Sequence, residues 1–330
     1  HWEEYFLKFT NLPGGLELRG GRMLSRVGFH NPTHLHSWTA VDAPLVNSLF
    51  LGEDGLALEG ADLSVYFGDL NPTVVTLGFG NAPSHDHDHG HSDDDHEDHD
   101  HDAEHEEHHE EDHDDHGHSH EGFGGFEEYR PADDVFTLGI RHDRFINDFQ
   151  QLRFAGFGGM GDSEIGETSW FAGAGVEYQW RENGLEPGGR AVRWRTEAIL
   201  FEGEAGSHDH DEDHDHDHEE DHDGDHDEDH EEHDHGDEHG EDVSSWGLTT
   251  EVVFEATERV HPFARFDYIA STDGLDLEDW TRYSGGVTFH LTQEPHVQLR
   301  LQANADEQGD ESEQSYWAQL GFSWGGPEVR

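Results

Sequence analysis

Residues 169–181 read SWFAGAGVEYQWR, and they alternate. Trp170, Ala172, Ala174, Val176, Tyr178 and Trp180 fall on one face of an extended chain; Ser169, Gly173, Gly175, Glu177, Gln179 and Arg181 fall on the other. Successive side chains of a strand point to opposite faces, so a period of two specifies a strand with one apolar and one polar face. The same period recurs in 245–256, 281–291 and 296–303, and in 315–324, where Tyr316, Ala318, Leu320, Phe322 and Trp324 share a face. No stretch carries a convincing helical period, which leaves an antiparallel all-β fold, either a sandwich or a barrel.

Loop lengths separate these two. Thirteen strands are expected near 2–11, 15–27, 57–67, 73–80, 134–144, 149–158, 169–181, 190–202, 244–257, 262–271, 280–291, 296–304 and 315–324. Connections after odd strands are short: LPGG, GDLNP, FIND, ENGLEPGG, ERVH and TQEP. Those after even strands include 28–56, two long acidic runs, GMGDSEIGETS, TDGLDLED and ADEQGDESEQ. Long loops on one end and short turns on the other are the asymmetry of a transmembrane outer-membrane β-barrel, and a sandwich has no reason to obey it. Aromatic residues at both ends of the apolar faces suit the two girdles of such a barrel. No run of about 18 apolar residues is present, so a membrane-crossing helix is not expected. The expectation is one barrel domain over 1–330, set in the bacterial outer membrane with its long loops at the cell surface. No signal peptide is visible ahead of His1, so an upstream portion is expected to be missing, and the full barrel to have about fourteen to sixteen strands.

The acidic runs, 85–121 and 208–242, contain no Leu, Ile, Val, Phe or Trp. They cannot bury enough apolar surface to offset the entropy of ordering, and are expected to be disordered insertions. They hold 39 of the 78 acidic residues and 25 of the 33 histidines, so the rest of the chain is only moderately acidic. Acid alone would merely solvate a loop, whereas a histidine at close to every third position points to metal binding or to pH sensing. Imidazole added to carboxylate makes a ligand set suited to Zn²⁺, with Ni²⁺ and Cu²⁺ as competitors and Ca²⁺ favouring carboxylate alone. The candidate ligands are His85, His87, His89, His91, His96, His99, His101, His105, His108, His109, His113, His116, His118 and His120 in the first run. The second run adds His208, His210, His214, His216, His218, His222, His226, His230, His233, His235 and His239. Without fixed geometry the bound metal should be loosely held and exchanging.

A third group, His30, His34 and His36 beside Asp42, lies in 28–56. Its apolar residues and prolines indicate an ordered loop that folds into the lumen as a constriction. The three histidines there either bind an ion or stack with Trp in a packed loop. The lumen face is expected to carry Arg141, Arg153, Arg181, Arg193, Arg195, Arg265, Arg282 and Arg300. These either pair with inward Asp267, Glu177, Glu197 and Glu251 to brace the wall or set solute selectivity.

Several classes are disfavoured. The net charge of −61 leaves no basic footprint for nucleic acid. Cysteine is absent, which removes thiolate zinc sites, disulfides and cysteine nucleophiles. No Ser, His and Asp grouping stands out, so an enzyme is not expected. The remaining readings are metal uptake, a general or anion-selective porin with a metal-responsive mouth, and a non-transporting surface protein that buffers metal.

The stretches LELRGGRMLSRVGFHNPTHLHSW, VDAPLV and GLALEGADLSVYF, within residues 15–68, resemble a family of bacterial outer-membrane proteins described as zinc-regulated, TonB-dependent-type receptors. Phosphate-selective porins look like more distant relatives through the same strand, loop and strand opening. The resemblance implies a barrel linked to zinc acquisition, with outer-membrane lipid around it and a periplasmic metal-binding partner or a TonB system behind it. No plug domain or TonB-contacting segment is recognisable in these residues.

Overall fold

The computed structural model describes residues 4–82, 126–184, 186, 188–204, 242–272, 274–275, 277–292 and 296–323. Thirteen strands form one sheet: β1 (Tyr5–Leu12), β2 (Leu16–Leu24), β3 (Ala57–Phe67), β4 (Thr73–Asn81), β5 (Pro131–Asn147), β6 (Gln150–Ser163), β7 (Thr168–Arg181), β8 (Ala191–Gly203), β9 (Val243–Glu255), β10 (Val260–Ile269), β11 (Trp280–Thr292), β12 (His296–Gln308) and β13 (Glu311–Ser323). Each pairs antiparallel with its neighbour in the chain, in strict sequence order. The all-β, thirteen-strand expectation therefore holds. Among the described residues β1 and β13 are the two edges and are not paired to each other. Both are odd-numbered in an antiparallel series, so they run in the same direction.

The alternation sorts side chains opposite to a water-soluble core. Leu77, Leu200 and Leu320 are 56%, 54% and 55% exposed on the outer face, while Glu177, Arg265 and Asp267 are almost fully buried on the inner one. Apolar residues ordinarily lie inside and charged ones outside, so this sheet is polar within and apolar without. Trp170, Trp194, Trp246, Phe136 and Phe322 belong to the same exposed outer set. No helix among the described residues is long and apolar enough to cross a membrane, which says nothing of strands.

Two of the expected long loops are short. The ADEQGDESEQ segment continues β12 and β13 to a tight turn at Gly309 and Asp310, with Asp306 facing Glu313 and Gln308 facing Glu311. Gly309 has φ +54°, the left-handed conformation such a turn needs. The segment reads as a loop because both faces are polar, yet the ladder is pinned by Arg282 Nε and Trp280 Nε1 donating to Asp306 at 2.6 and 3.0 Å. Likewise β6 and β7 extend until residues 164–167 alone connect them. The long connections after even strands are 25–56, 82–130, 204–242 and, more modestly, 270–279.

The 25–56 connection folds across the inner face, as its apolar content suggested. Asn31 closes its neck: Nδ2 donates to the carbonyls of Ser25 and Leu56 at 2.7 and 3.1 Å, and Oδ1 accepts from the Leu56 amide at 2.7 Å. The segment contains a short helix the sequence did not reveal, α1 (Leu45–Leu51). Leu45, Val46, Asn47, Leu49, Phe50 and Leu51 are all buried, so α1 has no solvated face and leaves no amphipathic period. It packs on β8, β9 and β10.

Candidate functional site

The inner face is a network of ion pairs tied to the 25–56 segment. Alternation aims Arg153, Glu177 and Arg195 from β6, β7 and β8 at one place. Arg153 Nη1 lies 2.9 Å from Glu177 Oε1, and Arg195 Nε and Nη2 donate to Glu177 Oε2 at 2.9 and 2.8 Å. Arg193 lies 3.6 Å from Glu251 and donates to Thr39 Oγ1 at 2.9 Å. Arg265 donates to Asp267 and to Asp42, each at 2.8 Å, and Arg282 to Asp42 at 3.1 Å. Arg300 donates to Gln319 Oε1 at 2.6 Å and to the His36 carbonyl at 2.9 Å. Arg141, half-exposed, lies 3.6 Å from Asp143. Arg181 stands exposed at the end of β7.

Three of the four expected acidic partners, Asp267, Glu177 and Glu251, thus brace arginines. Glu197 does not. Its carboxylate accepts from the Phe29 amide at 2.6 Å and from Asn47 Nδ2 at 3.1 Å, which holds the neck and helix of the inserted segment to β8. Gly28 makes this possible, since a Cβ there would collide with the Glu197 carboxylate and its φ of +66° suits glycine. Asp42 is the far anchor. Besides its arginines it accepts from Gln302 Nε2 at 2.6 Å and Asn304 Nδ2 at 3.2 Å. Burial opposes ionisation of Asp42, but Arg265, Gln302 and Arg282 prevail and hold its carboxyl below the usual range.

The three loop histidines take different roles. His30 stacks on Trp38, ring centroids 4.6 Å apart, and its Nε2 is enclosed without a hydrogen bond. Burial first, then Arg195, Arg265 and Arg193, push its pKa well below the ordinary imidazole value, so the ring is neutral. His34 Nε2 lies 2.6 Å from Glu4 Oε2, and its ring stacks on that of His36 at 5.5 Å. Burial works against the Glu4 charge, yet the His34 and Leu24 hydrogen bonds keep its pKa below normal. Among the described residues no group of three or more His, Asp or Glu side chains is placed to hold a metal ion.

Between the inserted segment and the β1–β8 wall lies a cavity of about 430 Å³, lined by Lys8, Arg19, Arg26, Arg141, Arg153 and Arg195 together with Glu4 and His34. Lys8, Arg19 and Arg26 were not singled out from the sequence, although Glu17 and Arg19 follow the same alternation. Arg19 is buried against Asp62, and Glu17 bridges Lys8 at 3.1 Å and Arg26 at 2.7 Å.

Candidate ligands His85 to His120 and His208 to His239 lie outside the described residues. Their flanks do not. Phe126, following the first run, packs against Phe201, before the second, with ring centroids 4.8 Å apart; Phe50 of α1 touches both, at 5.5 and 5.6 Å. Val243, at the exit of the second run, joins the same buried cluster, and Ala82 packs against it.

One further pair escaped the sequence reading. His261 and His290 face the interior from β10 and β11 at the short-turn end, with Nδ1 of the first 3.1 Å from Nε2 of the second. The available signal was parity: His261 shares the buried face of Phe263, Arg265 and Asp267, and His290 that of Ser284 and Thr288. Compared with known proteins, the chain matches no protein-family model and no curated protein.

Proposed function

We propose that this protein is an outer-membrane β-barrel that gathers divalent metal, zinc foremost, in its two His/acid runs and takes part in the metal's passage across the membrane. The observation that carries this reading is the placement of the runs. Both join an even strand to the next odd strand of one inside-out sheet, so both leave from the same end, and their flanks converge on the helix that stands in its interior. The apolar outer face suits outer-membrane lipid, since a transmembrane barrel turns apolar residues outward and polar ones inward. In water the same belt would be an unusually large exposed apolar surface.

The chemistry follows from the ligand set. Imidazoles two residues apart in an extended chain let several of them wrap one ion, with intervening carboxylates supplying charge. The dense negative charge raises the local concentration of any divalent cation at the barrel mouth, an effect that salt weakens. Zinc is cargo here, with Ni²⁺, Cu²⁺ and Ca²⁺ as competitors. A second reading, an anion-selective porin with a metal-responsive mouth, draws on the basic cavity beside the inserted segment. The family resemblance of residues 15–68 agrees with zinc acquisition and extends the proposal to a periplasmic or TonB partner.

Deleting 85–121 and 208–242 tests it. Cell-surface zinc binding and growth under zinc limitation should both fall. Unchanged behaviour in both assays sinks the proposal, and single-channel conductance that does not require zinc, with anion preference set by the interior arginines, favours the porin.

A further inference from the structure

We infer that His261 and His290 form a transfer site for a divalent transition-metal ion at the short-turn end of the interior, the end opposite the His/acid runs. The site stands on its own geometry; only the idea that the same ion reaches it from the runs rests on the function proposed above.

The two nitrogens, His261 Nδ1 and His290 Nε2, are 3.1 Å apart. With metal–imidazole bonds of about 2.0–2.1 Å, one ion touching both would subtend an angle of about 100°, between the octahedral and tetrahedral values. The rings are tilted by 58° with centroids 4.5 Å apart, so a small rotation brings both lone pairs to a common point.

The surroundings hold a cation only weakly. Burial and Arg193 oppose positive charge at His261, Glu255 at the end of β9 attracts it, and Arg193 is itself engaged by Glu251. Two protein ligands leave the remaining positions to water, and conduction requires binding weak enough to release. Along β10 the pair lies roughly 13 Å from Arg265, four residues away at strand spacing. An ion at the pair is therefore clear of Arg265, with Arg193 within charge range, and close to the inner mouth.

The test reads each histidine separately, because the runs would dominate any bulk titration. The intact protein in detergent is treated with Cu²⁺ and ascorbate, copper being an imidazole-seeking probe, and oxidised histidine is mapped by mass spectrometry. Oxidation at His261 or His290 should exceed that at His142, which faces outward and bonds Thr73 Oγ1. In His261→Gln, oxidation at His290 should be lost while that in the runs persists, and His290→Gln should behave reciprocally, with thermal unfolding unchanged. Oxidation at the pair no greater than at His142, or its survival at His290 in His261→Gln, overturns the site. Oxidation at the pair with none in the runs supports it and counts against the function proposed above.

Discussion

Arg265 of β10 donates to the Asp42 carboxylate at 2.8 Å, joining residues 223 positions apart and fastening the inserted segment to the far wall. The guanidinium is buried and also holds Asp267. Asp42→Ala leaves Arg265 and Arg282 without their shared loop partner. Breaking a buried ion pair costs about 3–5 kcal/mol, and the remaining Asp267 contact argues for about 3 kcal/mol here. Thermal unfolding should shift down accordingly. Single-channel conductance should rise as the segment loses its anchor, and equal conductance in variant and parent would show that the segment does not narrow the path.

His30 makes the fold sensitive to acid. Its folded pKa lies well below the ordinary value, because burial and three arginines oppose its charge. The unfolded chain therefore takes up this proton first as pH falls through about 6.5, and the stabilisation due to the neutral ring is lost from there downward. His30→Gln should flatten the dependence of melting temperature on pH between about 7 and 5. Glu4 acts lower. Its folded pKa is depressed, so its contribution is present above the ordinary carboxylate pKa and lost below it as pH falls through the folded value. Glu4→Gln should alter only that lower range; an unchanged slope in both variants would remove these groups as the cause.

The same acid range bears on metal. Imidazoles in the runs protonate near pH 6.5 and should release zinc as they do. Because this needs no change in the fold, zinc release from His30→Gln between pH 7.5 and 5.5 should match the parent. Zinc release that shifts in step with the melting curve would instead mean that the sheet must open before metal leaves.

The sequence exposed the sheet more fully than what fills it. A period of two survives along the strands because outer-face and inner-face residues differ in kind, so Trp170 and Glu177 could be assigned to opposite faces by parity alone. Strand ends were harder: Asp306 and Glu313 look like loop residues, and only their cross-strand pairing makes them ladder. α1 left no pattern because interior surrounds it on all sides. The interior arginines and three of their partners, Asp267, Glu177 and Glu251, were legible from parity, but the ties between wall and inserted segment were not, since Arg265 meets Asp42 across 223 positions and Glu197 meets Asn47 across 150. His261 and His290 lie 29 residues apart in ordinary strands and become a pair only through the β10–β11 register.

Phe126 tests the joint between the runs and the inserted helix. It is fully buried between Phe50 of α1 and Phe201 of β8. Truncating a buried phenylalanine costs about 3–5 kcal/mol, and Phe126→Ala should lower the unfolding midpoint to match. Phe126→Leu fills much of the space and should recover most of the loss. An alanine variant as stable as the parent would mean that the cluster does not hold α1 in place.

Arg153 offers the sharpest test of what passes the interior. Its side chain is partly exposed in the basic cavity while Nη1 holds Glu177 at 2.9 Å. Arg153→Gln removes one positive charge but keeps a donor for Glu177, and Arg195 still braces that carboxylate at 2.8 Å. The wall should therefore stand while the local potential becomes less positive. Charged groups lining a narrow path set which ions cross it. In a salt gradient across a planar bilayer, the reversal potential of Arg153→Gln should move toward cation preference, and Arg141→Gln, on the same cavity wall, should add to the shift. If neither variant moves the reversal potential, ions travel by a route that avoids this cavity, and the arginines there serve only to brace the sheet.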